Sequence, residues 1–387
     1  MKEILKNVFN VGVNDYNVDL FEGQYPVEKG MAYNSYILKG EKVVVTDSVD
    51  ERFAAEWLDN IEEVLGDKAP DYIVVHHMEP DHSGSLKAFL EKYPETTVVG
   101  NDKIFVMISE FFGDGLVRNK LSVKEGDKLP IGGFTLNFVF APMVHWPEVM
   151  MSYEEQTKTL FSADAFGKFG AVEGENIDLD DWKEEGRRYY IGIVGKYGVQ
   201  VQAVLKKAAA LDIKTICPLH GPVLKENLGY FVNLYDIWSK YEPEEKGVFI
   251  AYTSVYGHTR KAAFLLKEEV EKLGAKAEII DLARTDVSFA VAKAFQYSAT
   301  AFLTTTYNGN IFPFMRNFID SLTERGFKAR KVGFAENGSW APVATRIMKT
   351  AFEKSNLTYA ETNVKIRSSL SKENEEEIKL LAKELAE

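Results

Sequence analysis

The chain is poor in cysteine, and this limits the chemistry available to it. Its 387 residues include a single cysteine, Cys217. One thiol excludes a disulfide within the chain, and it also excludes a zinc finger or an iron–sulfur cluster held by cysteines. A lone cysteine that follows an apolar run is more often a small buried residue than a metal ligand, and we expect this of Cys217.

Positive charge and long apolar runs are also in short supply. The 46 lysines and arginines face 58 acidic residues, which leaves a net charge of -12. Nucleic acid and anionic membranes would repel such a chain, so we expect neither as a partner. No apolar run reaches transmembrane length. The opening MKEILKNVFNVGV has acid and amide residues where a signal peptide needs an apolar stretch. We therefore expect a cytoplasmic protein.

Length and pattern predict two domains, residues 1–245 and 246–387. The polar, proline-containing segment SKYEPEEKG is typical of a linker between them. In the first domain, YNSYILKG and EKVVVTDSV predict an antiparallel strand pair. In the second, strand patterns such as GVFIAY and ATAFLTTTYN alternate with amphipathic helices. This alternation indicates a parallel, doubly wound α/β sheet.

Four strand patterns of the first domain end in histidine or acidic residues. The densest group is HMEPDH, residues 77–82, and the other three strand ends carry a single such residue each. Four ionisable side chains in six residues, directly after an apolar strand, are costly to bury without a cation. The candidate metal ligands are His77, Glu79, Asp81, His82, His145, Asp164 and His220. Four imidazoles and three carboxylates suffice for two metal ions if one carboxylate bridges them.

Alternation along the motif makes a more detailed prediction. In an extended segment, His77, Glu79 and Asp81 point to one side and can share one centre, while His82 faces a neighbouring centre. His76 is expected to point to the opposite side of the strand and to take no part. Asp47 is expected to form a turn or a cap. Any single histidine could be an ordinary core residue, but five of the six in the chain lie in this domain.

The second domain carries a loop suited to a phosphate group, between its first strand and first helix. A phosphate monoester needs backbone N–H groups, hydroxyl donors and the positive end of a helix dipole. The loop matches neither GxxxxGK[ST] nor GxGxxG. A serine- and threonine-rich turn without a ligand is the alternative. The candidate phosphate-binding residues are Thr253, Ser254, Tyr256, Gly257, His258 and Thr259.

Two further strand ends of this domain supply polar and aromatic residues. Ligands of open α/β sheets bind outside the carboxyl ends of the strands. A flavin ring needs flat aromatic contacts and backbone donors, which both loops offer. The candidates are Thr305, Thr306, Tyr307, Asn308 and Gly309 after one strand, and Asn337, Gly338, Ser339 and Trp340 after the next.

Taken together, these motifs resemble those of flavodiiron proteins over nearly the whole chain. HxExDH followed by separate His, Asp and His is similar to the metallo-β-lactamase fold as that family uses it, and TSVYGHT resembles the FMN-phosphate loop of flavodoxins. Hydrolases of the fold usually carry HxHxDH. Glu79 in place of the second histidine makes the site harder and more anionic, which favours iron.

The resemblance implies a fold and a set of ligands. It implies a metallo-β-lactamase-like αββα sandwich followed by a flavodoxin-like doubly wound parallel sheet. His77, Glu79 and His145 are then expected to bind one iron, Asp81, His82 and His220 the other, and Asp164 to bridge them. A single phosphate loop favours FMN over FAD. The segment ENGSWAP departs from the commoner GSYGW, which leaves open the aromatic residue that stacks on the flavin.

The resemblance also implies an activity. It predicts reduction of O₂ to water, of NO to N₂O, or of both, with electrons delivered through FMN from an external carrier such as rubredoxin. No rubredoxin-like cysteine pairs follow the second domain, so a separate donor protein is expected. A head-to-tail homodimer is expected, possibly paired into a tetramer. The alternatives are a metal-dependent hydrolase and an electron carrier with a degenerate first domain.

Overall fold

The structure is a computed structural model and describes residues 2–174 and 176–387. It divides into two compact units. The first contains the residues up to Tyr189 together with Val199–Asp236, and the second contains Tyr190–Gly198 together with Ile237–Glu387. The division of the sequence into domains after residue 245 stays a prediction. No helix of the described residues is long and apolar enough to cross a membrane.

The first unit is built on two main sheets. Its strands are β1 (Lys2–Leu5), β2 (Val8–Asn10), β3 (Val13–Asp15), β4 (Leu20–Phe21), β5 (Tyr25–Pro26), β6 (Met31–Tyr33), β7 (Tyr36–Lys39), β8 (Val43–Thr46), β9 (Tyr72–Val74), β10 (Thr97–Gly100), β11 (Asn119–Ser122), β12 (Lys128–Pro130), β13 (Thr135–Phe140), β14 (Met150–Glu154), β15 (Thr159–Phe161) and β16 (Thr215–Cys217). One sheet has the order β1-β2-β7-β8-β9-β10-β11, and the other β12-β13-β14-β15-β16. Strands β3 and β6 pair separately, as do β4 and β5.

Seven helices accompany these strands in the described residues. They are α1 (Ala54–Leu65), α2 (Pro80–Ser83), α3 (Leu86–Lys92), α4 (Asp102–Phe112), α5 (Leu179–Tyr189), α6 (Gly198–Ala208) and α7 (Leu228–Ser239). A 3₁₀ turn at Glu51–Phe53 precedes α1.

The two sheets share a buried core. Strands β7 and β8 pair antiparallel, with Ile37 opposite Val45, which confirms the predicted pair. Tyr36 of β7 packs on Phe161 of β15 with ring centres 5.5 Å apart, so the sheets meet through aromatic contacts. Cys217 at the end of β16 is buried as expected, and burial raises the pKa of its thiol.

The second unit is one predominantly parallel sheet with helices on both faces. Its strands are β17 (Glu245–Tyr252), β18 (Ala277–Asp281), β19 (Tyr297–Tyr307), β20 (Asn310–Ile311), β21 (Lys331–Asn337) and β22 (Thr358–Ile366). Its helices are α8 (His258–Lys272), α9 (Val287–Gln296), α10 (Pro313–Glu324), α11 (Ala344–Ala351) and α12 (Lys372–Ala386), and it also contains a π-helical turn at Tyr190–Val194 and a 3₁₀ turn at Gly195–Tyr197.

The strand order β18-β17-β19-β21-β22 confirms the doubly wound, flavodoxin-like prediction. All four pairings along this order are parallel, and only the short β20 pairs antiparallel with β19. The strand β22 is not apparent from the sequence, because it is an edge strand in which polar residues are mixed with three buried apolar ones. Helices connect the strands, as parallel pairing requires.

Large apolar side chains fill both faces of this sheet. On one face, Phe302 of β19 contacts Phe318 of α10, Phe334 of β21 and Phe352, with ring centres 5.1–5.7 Å apart. On the other, Leu266 of α8 joins a cluster with residues of α12 and of the strands. The sheet is therefore held rigidly between two apolar layers, and its loops project from a fixed frame.

Replacing Phe302 with alanine should destabilise the second unit by about 3–5 kcal/mol, because the substitution leaves a cavity among three other aromatic rings. Phe264→Ala is the matched control, since Phe264 is 45% exposed. Chemical denaturation followed by circular dichroism measures the difference. Equal losses of unfolding free energy in the two variants would contradict this account of the core.

Candidate metal centre

The HMEPDH motif changes conformation in its middle. It begins in extended chain after β9, and Pro80 then occupies the first position of the short helix α2. Proline suits that position because its fixed φ matches a helix and its missing N–H has no partner there. The turn carries Asp81 and His82 away from the direction of His77 and Glu79. One short segment thereby supplies two separate groups of side chains.

The first group consists of His77, Glu79, His145 and Asp164. His145 Nε2 lies 3.0 Å from Glu79 Oε2 and 3.0 Å from Asp164 Oδ2. His77 Nε2 lies 3.3 Å from the same glutamate oxygen and 3.4 Å from the same aspartate oxygen. Both imidazoles therefore direct Nε2 at one small volume between two carboxylates.

The second group consists of Asp81, His82 and His220. His82 Nε2 lies 3.3 Å from Asp81 Oδ2, and His220 Nε2 lies 3.2 Å from that same oxygen. The two Nε2 atoms are 2.9 Å apart. The structure thus places Asp81 with His82, so the prediction from alternation that Asp81 shares a centre with His77 and Glu79 is wrong. The helical turn at Pro80 is the reason.

Asp164 lies between the two groups and offers one oxygen to each. Its Oδ2 faces His77 and His145, and its Oδ1 is 3.3 Å from His82 Nε2 and 3.8 Å from His220 Nε2. The side chain is buried, and neither oxygen has a well-oriented hydrogen-bond partner among the described residues. A buried carboxylate in this position requires positive charge on both sides.

Hydrogen bonds on the far side of two rings fix the direction of their lone pairs. His77 Nδ1 lies 2.8 Å from Glu148 Oε1, and His220 Nδ1 lies 2.8 Å from the carbonyl oxygen of Ala32. Each Nδ1–H donates outward, which leaves Nε2 of the neutral ring as an unprotonated nitrogen that faces the carboxylates. This is the usual arrangement of histidines that bind metals. The donor set therefore fits two cations.

Without a cation, the same atoms hold protons strongly. Burial lowers the pKa of His145, but Asp164 and Glu79 outweigh it and raise that pKa to about 9. Burial likewise opposes protonation of His77, yet Asp164, Glu148 and Glu79 raise its pKa well above the usual value. The two influences act in the opposite directions on Asp164: burial raises the pKa of its carboxyl group, but the surrounding histidines outweigh burial and lower that pKa well below the usual range.

Two acidic residues near this centre were not predicted from the sequence. Glu148 supports His77 and also accepts a hydrogen bond from the backbone N–H of Met78 at 2.9 Å. Its place three residues after His145 was the available signal. Glu22 interacts with Glu79, and burial, followed by the charge of Glu79, raises the pKa of Glu22 to about 7. Nothing in the sequence around Glu22 indicates this contact.

His76 takes no part in either group, as expected, whereas the expectation that Asp47 forms a turn or a cap is wrong, because its side chain binds a distant part of the chain. His76 turns away from both groups, with Nδ1 2.5 Å from Asp47 Oδ2 and Nε2 2.8 Å from Ser152 Oγ. Asp47 also accepts the backbone N–H of His76 at 2.6 Å and of His77 at 3.3 Å. This buried carboxylate thereby fixes the backbone from which the motif starts.

The predicted phosphate loop lies between β17 and α8 in the second unit. Gly257, with φ of 91°, forms the N-cap of α8, and Ser254 Oγ accepts its N–H at 3.1 Å. Thr253 is buried and pairs with the hydroxyl of Thr304 at 2.7 Å. Thr259 is 1% exposed, and its hydroxyl has no hydrogen-bond partner among the described residues. A buried free hydroxyl beside a helix N-terminus fits an anionic ligand.

The other two loops follow β19 and β21 at the same end of the sheet. The Thr305 hydroxyl is buried without a partner in the described chain, whereas Thr306 Oγ1 accepts the N–H of Val343 at 3.0 Å. Among the predicted flavin-site residues, three aromatic side chains are exposed: Tyr256 is 91% exposed, Trp340 83% and Tyr307 45%. Such exposed aromatic rings fit the flat surface of a flavin.

The remaining predicted residues of these loops lie close by. Asn308, with φ of 51°, and Gly309, with φ of 70°, form the turn between β19 and β20. His258 begins α8. Asn337 ends β21, and Gly338 and Ser339 follow it; Asn337 and Ser339 bond to Ser368 after β22, and Gly338 bonds to Ile366 at the end of β22. All fifteen predicted flavin-site residues therefore lie at the carboxyl ends of β17, β19 and β21, in the last residues of the strands, in the loops or at the start of α8.

Comparison with known proteins gives consistent matches. The family model described as "ODP family beta lactamase" matches residues 31–221. Diflavin flavoprotein A 1 of Synechocystis is 32% identical over 73% of this chain and 50% of its own length, so this chain spans half of that relative. The anaerobic nitric oxide reductase flavorubredoxin of Vibrio vulnificus is 30% identical over 87% of this chain and 70% of its own length.

A solved structure extends the similarity to the whole chain. The flavodiiron protein of Giardia intestinalis superposes with a TM-score of 0.92 and 26% sequence identity, covering 100% of this chain and 95% of its own. Both units thus have counterparts in one protein.

Metal uptake by the metal-free protein should depend on pH. The pKa of His145 is raised to about 9, so this ring is protonated at lower pH and must lose a proton to bind a metal. We expect affinity for Co²⁺ to increase as the pH rises toward about 9, with release of protons near pH 7. Calorimetric titration in buffers of different ionisation enthalpy measures both effects. Heats that do not depend on the buffer would contradict the prediction.

Glu148→Ala should weaken metal binding by about 10- to 100-fold, because His77 loses the partner that orients its ring. Glu148→Gln keeps an oxygen acceptor for the Nδ1–H group and should lose less. Competition with a chelator measures both affinities. Equal losses in the two variants would assign Glu148 a role in charge alone, and no loss in either would remove it from the centre.

Proposed function

We propose that this chain, which belongs to the flavodiiron proteins, is an oxidoreductase that reduces O₂ to water, NO to N₂O, or both. The observation that carries the proposal is Asp164, a buried carboxylate with one oxygen directed at each of two histidine groups. We propose a cytoplasmic location.

Two iron ions are the cations that fit the donor set best. His77, Glu79 and His145 would hold one, Asp81, His82 and His220 the other, and Asp164 would bridge them. Three carboxylates offset most of the charge of two divalent ions, and hard oxygen donors favour a metal that must reach the ferric state. When bound, the irons supply electrons and Lewis acidity to the diatomic substrate, and FMN supplies the route by which electrons reach them.

The protein's own residues hold these groups in place. Glu148 and the carbonyl of Ala32 fix the rings of His77 and His220, so that neither ring needs to reorient when the charge at the centre changes. Burial of the histidines limits access of water to the donor atoms. Glu22 interacts with Glu79 and adds a further carboxyl group near this centre.

FMN would bind at the carboxyl ends of β17, β19 and β21. The loop of residues 253–259 would take the phosphate, with the free hydroxyl of Thr259 and the N-terminus of α8 as donors. The exposed rings of Tyr256, Tyr307 and Trp340 are the candidates for contact with the isoalloxazine.

An external carrier would supply the electrons. We propose a rubredoxin-type protein, because relatives of this chain carry the name flavorubredoxin. A head-to-tail homodimer, possibly paired into a tetramer, is part of the same proposal. A metal-dependent hydrolase is not favoured, since Glu79 replaces the histidine usual in those enzymes and a flavin has no use in hydrolysis.

Glu79→Ala should reduce iron content and lower the rate of O₂ or NO reduction by more than about 100-fold. Loss of a partner that merely orients a ligand already costs about 10- to 100-fold, and Glu79 would be a ligand itself. Glu63→Ala, at an exposed position of α1, is the matched control. Iron analysis and anaerobic stopped-flow of the pre-reduced protein against each gas provide the measurement.

Unchanged reduction rates in Glu79→Ala would overturn the di-iron mechanism. A thioester hydrolysis assay on the unmodified protein distinguishes the oxidoreductase from the hydrolase alternative, and we expect the protein to show no hydrolase activity.

A further inference from the structure

We propose that the loop after β22, residues 367–370, is a fourth loop of the flavin site, and that Ser369 binds the flavin phosphate together with His258. The proposal rests on the proposed function, because it requires FMN in the second unit. No sequence motif identifies this loop, since the strand before it is itself inconspicuous in the sequence. Its contacts with two of the predicted flavin loops single it out.

The loop is fixed to the predicted flavin loop that follows β21. The side chain of Asn337 donates from Nδ2 to the carbonyl oxygen of Ser368 at 3.0 Å and accepts the Ser368 N–H on Oδ1 at 3.1 Å. The hydroxyls of Ser339 and Ser368 are 2.7 Å apart, and the N–H of Gly338 donates to Ile366 at 3.1 Å. Ser368 has φ of 69°, a conformation that the two Asn337 hydrogen bonds stabilise.

The same loop reaches the phosphate loop. Ser369 Oγ lies 3.3 Å from Nδ1 of His258, the first residue of α8. Residues 367–370 thus connect the loop after β17 with the loop after β21, the two loops expected to hold the phosphate and one side of the ring. The side chain of Ser369 is exposed, and a hydroxyl can donate one hydrogen bond while it accepts another. It can therefore donate to a phosphate oxygen and remain beside the imidazole of His258.

Charge explains the need for this pair. The phosphate of FMN carries close to two negative charges, yet residues 253–259 contain neither lysine nor arginine. The nearest cationic residues in sequence are Arg260 and Lys261 of α8, and the loop after β22 contains Arg367, so within residues 253–259 backbone N–H groups, hydroxyls and His258 are the groups that can contact the phosphate. A hydrogen bond to a charged group contributes about 1.5–3 kcal/mol, more than one between neutral groups. One additional hydroxyl at the phosphate consequently has a measurable effect on affinity.

Riboflavin provides the discriminating probe, because it has the ring of FMN without the phosphate. Full-length protein freed of flavin is titrated with FMN and with riboflavin, and quenching of flavin fluorescence gives each dissociation constant. We expect Ser369→Ala to weaken FMN binding about tenfold and to change riboflavin binding less than about twofold. Ser369→Thr keeps the hydroxyl and should restore FMN affinity. The ³¹P resonance of bound FMN should shift in the alanine variant alone.

Each result has a definite meaning. Equal weakening of FMN and riboflavin by Ser369→Ala would show that the loop supports the fold of the site without contacting the phosphate, and would overturn the proposal. Unchanged affinity for both flavins would do the same. In either case tight FMN binding by the unaltered protein would leave the proposed function intact. Failure of the unaltered protein to bind FMN would instead refute the flavin part of the proposed function.

Discussion

The arrangement of the first unit depends on one buried carboxylate. Asp164 has no direct route to solvent, and its two oxygens point at imidazole nitrogens that come from three distant parts of the chain. A charge in that position is tolerable only while cations or protons surround it. The hydrogen bonds that Glu148 and the carbonyl oxygen of Ala32 accept support the same arrangement, because they orient the rings of His77 and His220 toward Asp164. The helical turn at Pro80 serves this arrangement as well, since it lets six consecutive residues supply both groups of side chains.

The seven metal-site candidates could be recognised from the sequence because each belongs to a short segment in which an apolar strand ends in an ionisable residue. Their placement into two groups could not be obtained from the residues alone. Alternation assumed extended chain through the motif, and the helix at Pro80–Ser83 ends that regularity before Asp81. Glu22 was not predicted for a different reason: its contact with Glu79 depends on which segments are neighbours in the fold, and no local pattern records that. Glu148 lies three residues after His145, but this spacing does not reveal that it supports His77. The hydrogen bond from His220 to the carbonyl oxygen of Ala32 could not be predicted from the sequence, because every residue has a carbonyl group.

The fold of the second unit was easier to predict than its details. Repeated alternation of strands and helices determines a parallel sheet, and loops at the carboxyl ends of the strands follow from that topology. Four of the strands have apolar runs that make them visible, whereas β22 mixes polar residues with apolar ones because it lies at the edge of the sheet. The loop after it was invisible for the same reason. The sequence says least about the positions of the exposed aromatic rings at these loops. Trp340 is the clearest case, since no core residues pack against its ring.

The burial of Cys217 has a practical consequence for experiments on this protein. The thiol is 1% exposed and its pKa is raised by burial, so maleimide reagents that attack accessible thiolates will leave it unmodified. The natural chain therefore serves as an unreactive background. A cysteine introduced on the surface becomes a unique attachment point for a dye or a nitroxide, without prior removal of any native residue. Pairs of such labels allow spectroscopic rulers to be applied to the full-length protein and to any assembly it forms.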